Sequence, residues 1–199
     1  LHAQGARVVV SARKVQSLNA FVRKHPGSQA LALDATQPQA VHAAAQQLLA
    51  QGPLDCVVYC AGHYTAMRAD ALDVADMVRH AEVNYIGALY VLDAVLPALL
   101  ARGSGHISLV GSVAGYRGLP NSLAYGPTKA ALINLAETLY LDLHRHKVGE
   151  TVTLDLGGKC DPHFGGGPLR LVGDIRHLSA GSHTGDDGGH RPVRAGALR

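Results

Sequence analysis

Short apolar runs alternate with amphipathic stretches in the first part of the chain. The runs cover residues 7–11, 31–34 and 55–59, and the stretches between them cover residues 15–24 and 39–50. Short runs rich in β-branched residues predict strands, and apolar positions at helical spacing predict helices. An alternating order of strand and helix requires crossover connections, which produce a parallel sheet covered on both faces. We therefore predict an α/β fold with a doubly wound parallel sheet.

The same pattern continues toward the middle of the chain. A fourth strand is predicted over residues 106–110, after a long helical region that ends near Arg102, and a further helix over residues 122–146. A weak fifth strand covers residues 151–154. Residues 1–6 have the character of a last helical turn closed by glycine. In a dinucleotide-binding domain a first strand and a glycine-rich turn precede such a helix, so we expect a Rossmann-like sheet that is incomplete and lacks both.

The composition changes after Leu156. Residues 157–199 hold 11 of the 23 glycines and no sustained apolar period. We therefore divide the chain into a partial Rossmann-fold domain, residues 1–156, and a Gly-rich, poorly ordered tail, residues 157–199. A frameshift that replaced the original C-terminal sequence is an alternative explanation of the abrupt change.

Charge and composition exclude several classes of function. The net charge is only +3 with no dense basic patch, which argues against a nucleic-acid partner. The most apolar stretch, residues 86–100, is interrupted by Asp93 and Pro97 and is short for a bilayer span, so we expect a buried helix and no transmembrane segment. Twelve histidines show no HExxH or comparable spacing, and we predict no metal site.

Cysteine usage bears on the cellular compartment. The chain has three cysteines and no signal peptide, and an odd count of this kind favours a reducing environment. We expect a cytoplasmic protein, and a preceding targeting or anchor segment stays open.

Candidate chemistry is concentrated around one helix start. Tyr125 and Lys129 stand four residues apart, so a helix projects them from the same face. A phenol is a poor acid or base at neutral pH, and a nearby ammonium favours its phenolate form. Ser112 precedes Tyr125 by 13 residues and follows a strand, at the sheet edge where open α/β folds bind ligands. An exposed helical pair and a turn serine are the ordinary interpretations of these residues taken singly.

The wider sequence around these residues resembles the short-chain dehydrogenase/reductase (SDR) family. The matching segments are Gly111-Ser112-Val113-Ala114-Gly115, Gly118-Leu119-Pro120 and Tyr125-Gly126-Pro127-Thr128-Lys129-Ala130-Ala131, in the family's order and spacing. The resemblance implies an NAD(P)-dependent oxidoreductase that interconverts a carbonyl compound and a secondary alcohol by hydride transfer, acting as a reductase. Tyr125 would transfer the proton, Lys129 would tune it and grip ribose, and Ser112 would orient the carbonyl.

Further residues match family positions. Asn84, 41 residues before Tyr125, corresponds to an asparagine that holds a water linking Lys129 to solvent. Ala61 and Gly62 match the cofactor-contacting end of the family's Asn-Asn-Ala-Gly segment, whereas Cys60 replaces the second asparagine and loses its amide hydrogen bonds. Asp34 matches an aspartate that contacts adenine. A capping role is its alternative interpretation.

The end of the first run indicates the choice of cofactor. Ser11 and Arg13 lie where the family binds the adenosine ribose, and Ala12 stands at the usual acidic position. Because an arginine accommodates a 2′-phosphate, the resemblance implies NADP(H) rather than NAD(H). Arg13 and Lys14 as a solvated pair is the alternative.

Two features of the sequence depart from the family pattern. Pro127 would kink the catalytic helix unless it falls in the first turn. The family's closing Pro-Gly segment has no counterpart after residues 151–154.

The sequence also leads to expectations about binding partners and leaves two alternative functions open. The resemblance implies a small carbonyl or alcohol substrate, and a homodimer or homotetramer formed through the helices near residues 86–102 and 122–143. With both the glycine-rich turn and the closing segment missing, an inactive fragment or pseudoenzyme that only binds nucleotide or oligomerises is the main alternative. A nucleotide-binding regulator is a third possibility, against which the intact Ser-Tyr-Lys set argues.

Overall fold

The computed structural model describes residues 5–143 and 148–155, with residues 149–155 described by their backbone alone. The strands are β1 (Val9–Ala12), β2 (Gln29–Ala32), β3 (Cys56–Tyr59), β4 (His106–Ser112) and β5 (Gly149–Asp155). The α-helices are α1 (Asn19–Lys24), α2 (Pro38–Ala50), α3 (Val74–Ala81), α4 (Gly87–Arg102) and α5 (Tyr125–Leu143). The predicted tail over residues 157–199 lies outside the described residues.

All strand pairs are parallel, as the alternating pattern predicts. β1 pairs with β2, and β3, β4 and β5 form a second sheet in that order, with Cys56 opposite His106 and His106 opposite Gly149. Among the described residues no strand joins β1 to β3. In the doubly wound order 3-2-1-4-5-6, β2 and β1 fill the first two positions and β3 to β5 the last three. The position between them belongs to the first strand, so the expectation of an incomplete Rossmann-like sheet is confirmed.

Helix α5 begins three residues later than the sequence pattern predicts, because the residues before it pair elsewhere. Met67 N–H donates to the Asn121 carbonyl at 3.0 Å, and Leu123 N–H donates to the Met67 carbonyl at 3.5 Å. The Asn121 carbonyl is the group that would accept the first backbone bond of a helix beginning at residue 122. Pro127 consequently lies in the first turn of α5, where its missing N–H leaves no intrahelical bond unmade.

The core lies between the three-stranded sheet and helices α4 and α5. The buried apolar residues of the two helices recur at helical spacing, which turns one face of each toward the strands. They are Leu92, Val95 and Leu99 on α4, and Leu132, Ile133 and Ala136 on α5, packed with Ile107 and Leu109 of β4. Burial of each large side chain contributes about 1.5–3 kcal/mol relative to exposure.

Helices α3 and α4 are joined by a π-helical turn, Glu82–Ile86, into one continuous helix over Val74–Arg102. Its 29 residues exceed the apolar stretch considered from the sequence, and by length and composition alone it could cross a membrane. A core helix of a soluble protein meets the same criterion. Here α4 lies against α2, where the Asp93 carboxylate accepts a hydrogen bond from His42 Nε2 at 2.8 Å, and its buried face is part of the core.

Candidate active site

Tyr125 and Lys129 occupy the first two turns of α5. Lys129 is buried, with only 3% of its surface exposed. Its Nζ lies 5.5 Å from the centroid of the Tyr125 ring and donates to the Val110 carbonyl of β4 at 2.7 Å. A buried ammonium requires polar partners, and a carbonyl and a π-face supply them here. The positive charge is therefore held beside the phenol.

Ser112 is the last residue of β4, and two glycines bring the chain after it against α5. A Cβ on Gly115 would lie 2.8 Å from the Lys129 carbonyl carbon, and a Cβ on Gly126 would lie 3.0 Å from the Ala114 carbonyl oxygen. Only residues without a Cβ permit so close an approach. Ser112 is itself buried, and its Oγ accepts a hydrogen bond from Ala114 N–H at 3.3 Å. The strand end and the helix start thus form one site.

Asn84 lies in the π-helical turn and is fully buried. Its Oδ1 accepts from His63 N–H at 2.6 Å, and its Nδ2 donates to the His63 carbonyl and to Thr128 Oγ1, both at 3.0 Å. Thr128 Oγ1 in turn donates to the Tyr125 carbonyl at 2.7 Å. Asn84 therefore links the loop after β3 to the turn that carries Tyr125. Turns of this π type are frequent at functional sites.

The predicted adenosine contacts lie at the carboxyl ends of β1 and β2. Ser11 and Arg13 are exposed. Asp34 Oδ1 accepts from Thr36 N–H at 3.0 Å and from Thr36 Oγ1 at 2.8 Å. These two bonds, with a smaller contribution from the Arg13 guanidinium, hold the pKa of Asp34 below its ordinary value against a small desolvation effect. The carboxylate thus closes a local turn within electrostatic reach of Arg13, and it does not cap α2, whose N-cap residue is Gln37.

A cavity lies beside this turn. Its volume is about 180 Å³, and it is lined by Thr36, Gln37, Glu82, Ile86 and Tyr90. It is thus lined by the segment that follows β2 and by the helix that contains Asn84.

The end of β3 is tied to the same π-helical turn by a tyrosine. The buried Tyr59 hydroxyl donates to the Val83 carbonyl at 2.5 Å, and burial raises the pKa of this phenol. Tyr59 stands where the resemblance places the first asparagine. The Tyr59 hydroxyl and the main chain of His63 form the hydrogen bonds that link the segment after β3 to the π-helical turn, where Cys60 has no side-chain amide to do so. Ala61 is half-buried and Gly62 is exposed.

The structure brings the predicted residues together in two groups. Asn84, Ser112, Tyr125 and Lys129 converge where β4 ends and α5 begins, and Ala61 and Gly62 adjoin them through the His63 bonds to Asn84. Ser11 lies in β1, and Arg13 and Asp34 lie just after the carboxyl ends of β1 and β2. The catalytic and cofactor roles of these residues stay predictions.

Two features of the site are not among the residues predicted from the sequence. Tyr64 packs edge-on against Tyr125, with ring centroids 5.3 Å apart and ring planes at 83°, and its hydroxyl donates to the Asn121 carbonyl at 3.5 Å. The second is a cluster of His63, Asp76 and His80, whose potential ligand atoms lie within 4.8 Å of one another. Only the spacing of Asp76 and His80, four residues apart on one helix, could have indicated it. A search for HExxH-type spacing passes over it.

Comparison with known proteins agrees with this geometry. A family model described as short chain dehydrogenase matches residues 1–154. A 3-dehydrosphinganine reductase from Danio rerio is 36% identical over 122 residues, which cover 61% of this chain and 36% of that protein. The matched part is thus about a third of that relative's length.

Solved structures show the same fold. A short-chain dehydrogenase from Streptomyces avermitilis superposes with a TM-score of 0.75 at 26% identity, covering 83% of this chain and 61% of that chain. A metagenomic short-chain oxidoreductase in complex with NADP superposes with a TM-score of 0.72 at 28% identity, covering 78% of this chain and 73% of that chain.

Proposed function

The chain belongs to the short-chain dehydrogenase family of oxidoreductases, and from that membership we propose that it interconverts a carbonyl compound and a secondary alcohol, acting as an NADP(H)-dependent reductase. One observation carries the proposal: the buried Lys129 ammonium lies beside the Tyr125 ring and donates to β4 two residues before Ser112. A phenol with an ammonium beside it can protonate a carbonyl oxygen, and a hydroxyl can donate to the same oxygen, at the sheet edge where open α/β folds bind ligands.

The bound nicotinamide would supply the hydride, and the chain supplies the proton and the orientation. Ser112 Oγ accepts from Ala114 N–H, which leaves its own proton to donate to the substrate oxygen. Tyr125 would give its phenolic proton to the same oxygen. The Lys129 charge then stabilises the phenolate that remains. Asn84 would keep the helix turn at Thr128 in register with the loop after β3.

The residues at the ends of β1 to β3 fit parts of the cofactor. Arg13 is exposed, and the residue before it is Ala12 rather than an acidic residue, which suits a 2′-phosphate. Both hydrogen bonds of Asp34 fall on Oδ1, so among the described residues Oδ2 is left to accept from an adenine amino group. A Cβ on Gly62 would meet only Asn84 Oδ1, at 3.9 Å, so one side of this backbone is open to a ligand. The NADP bound to one structural relative is in line with this choice.

Consumption of NADPH with a panel of aldehydes and ketones tests the proposal. The panel includes 3-dehydrosphinganine, after the name of one relative. Tyr125→Phe keeps the ring contact with Tyr64 and removes the proton, so we expect turnover to fall by about 100-fold or more while the protein stays folded. Tyr116→Phe, at an exposed tyrosine of the neighbouring turn, is the matched control. Equal turnover in the two variants would contradict the assignment of Tyr125.

A second candidate is a protein that binds nucleotide or oligomerises without turnover. Among the described residues no strand lies between β1 and β3, where the Rossmann order places the strand that leads into the pyrophosphate-binding turn. NADPH fluorescence separates the two candidates. Binding without consumption across the panel supports the second, and consumption supports the first.

We further propose a homodimer or homotetramer formed through α4 and α5, and a cytoplasmic location. Leu100 on α4 and Leu141 on α5 are exposed apolar residues that an interface of this kind would cover. Cys56 and Cys60 are exposed free thiols, which suits a reducing compartment. Sedimentation of the wild type against Leu141→Glu tests the interface, and a monomeric wild type would contradict it.

A further inference from the structure

The cluster of His63, Asp76 and His80 clamps the loop after β3 onto α3. His63 Nε2–H donates to Asp76 Oδ1 at 2.7 Å, and His80 Nδ1–H donates to the Asp76 carbonyl at 2.7 Å. Thr65 N–H donates to His80 Nε2 at 3.1 Å, and the two imidazole rings pack with centroids 4.4 Å apart. Residues 63 and 65 are thus both fastened to the helix.

The clamped segment is the one that holds Asn84. His63 uses both main-chain polar groups on the Asn84 carboxamide, and Asn84 uses its remaining N–H on Thr128 of α5. A displacement of His63 therefore reaches the Tyr125 turn through three consecutive hydrogen bonds. We propose that Asp76 and His80 are positioning residues: they hold residues 63–65 so that the His63 main chain fixes the Asn84 carboxamide against α5.

The hydrogen bonds favour this positioning role over a metal site. His80 is fully buried, and both of its ring nitrogens are engaged. Its Nε2 lone pair accepts from Thr65 N–H, so the ring proton lies on Nδ1. A metal on Nδ1 would displace that proton to Nε2 and set it against Thr65 N–H. The cluster can form its observed bonds only with a metal-free, neutral His80.

The Asp76 carboxylate is the shared member of the clamp. His63 donates to it, and this bond is the main reason that the pKa of Asp76 lies below its ordinary value. Oδ2 is buried without a hydrogen-bond partner among the described residues and lies 3.5 Å from His80 Nδ1. The carboxylate is therefore ionised between two imidazoles, and a side chain without an acceptor at position 76 would release His63.

Asp76→Ala and Asp76→Asn test the clamp, because only the second keeps an acceptor for His63 Nε2–H. The proposal rests on the proposed function, so one measurement does not use turnover. Amide exchange of His63, whose N–H bonds Asn84, should be faster in Asp76→Ala by about five-fold or more, the equivalent of one lost hydrogen bond. We expect kcat to fall about 10- to 100-fold with KM for the carbonyl nearly unchanged, because misalignment at a distance affects the reacting groups. Asp76→Asn should restore most of both.

Asp93→Ala is the matched control, because it removes the carboxylate of an exposed His–Asp pair of 2.8 Å on the next helix. It should change neither measurement. If Asp76→Ala does not fold, His63→Ala replaces it, since that variant removes the tie to Asp76 and leaves the His80 bonds in place.

Three results would overturn the proposal. The first is His63 amide exchange that is unchanged in Asp76→Ala, and the second is an Asp76→Asn variant whose exchange and kcat are as impaired as those of Asp76→Ala. The third is a Zn²⁺ or chelator titration that reproduces the difference between wild type and Asp76→Ala. A wild type without turnover would contradict the proposed function alone, because the exchange measurement would still decide on the clamp.

Discussion

Replacement of Gly115 by alanine is the sharpest test of how the site is built. Gly115 closes the turn after Ser112 and lies directly against α5. An added Cβ would lie 2.7 Å from Ile133 Cδ1, 2.8 Å from the Lys129 carbonyl carbon and 2.9 Å from Ala130 N. The Ile133 methyl can rotate away, but the two backbone atoms belong to a helix and cannot yield separately. The turn and α5 must therefore move apart.

The expected cost follows from the nature of these contacts. Overpacking of a well-packed interior costs typically about 1–3 kcal/mol. In a domain of this size each kcal/mol lowers Tm by about 2–4 °C. The displaced helix atoms include the backbone of Lys129, whose Nζ bonds the strand that ends at Ser112. We therefore expect kcat to fall as well, by about 10- to 100-fold if the shift approaches 1 Å.

Urea denaturation, thermal unfolding and NADPH consumption measure both effects, with Gly118→Ala as the control. Gly118 lies in the same connection, and a Cβ there would meet no heavy atom within 4 Å. Gly115→Ala combined with Ile133→Val adds a second test, because it removes Cδ1 and leaves the two backbone contacts. We expect that double variant to remain destabilised relative to Ile133→Val. Gly115→Ala with the stability and turnover of Gly118→Ala would refute the close approach.

Two further predictions concern the cofactor edge. Arg13→Ala should weaken NADPH binding in a fluorescence titration and leave NADH binding unchanged, and Ala12→Asp should shift the preference toward NADH; a loss of both cofactors alike would contradict a 2′-phosphate contact. Thr36→Ala removes the Oγ1 hydrogen bond to Asp34 and keeps the bond from the Thr36 backbone N–H, so the pKa of that carboxyl should rise part of the way toward its ordinary value in an NMR titration. Folding lowers the pKa of Asp34, so the ionised carboxylate stabilises the folded state. This stabilisation is present above the unfolded-state pKa and is lost as the pH falls through the folded-state pKa. The stability difference between wild type and Thr36→Ala should therefore shrink on acidification.

The strands and their parallel order are predictable because each strand is a short apolar run bounded by helical stretches. The ends of the strands are harder to predict from the sequence. Strand β4 extends two residues past its apolar run to Ser112, because its pairing with β5 continues to that residue. The π-helical turn at Glu82–Ile86 has no pattern of its own. It shares the periodicity of its neighbours, and only the hydrogen-bond register distinguishes it.

The convergence of Ser112, Tyr125 and Lys129 is predictable because it requires only one strand and the helix that packs on it. Tyr64 and the His63 clamp are not predictable in this way. They depend on a loop lying against α3 and α5, and no spacing along the chain encodes a contact between a loop and a helix that tertiary packing brings together. The predicted start of α5 at residue 122 is wrong for the same reason, since Met67 pairs with Ser122, which local propensity assigns to the helix.

The two groups of site residues lie at the ends of different strands, and we expect substitutions in the two groups to have separate effects. Tyr125, Lys129 and Ser112 belong to β4 and α5, whose packing lies within one core. Arg13 and Asp34 follow the carboxyl ends of β1 and β2 outside that core, and Arg13 is exposed. A substitution of the exposed Arg13 side chain can therefore alter cofactor affinity without moving the phenol. A change at α5 or in the clamp moves the phenol without touching the adenosine contacts, so kcat and cofactor affinity should respond to separate sets of substitutions.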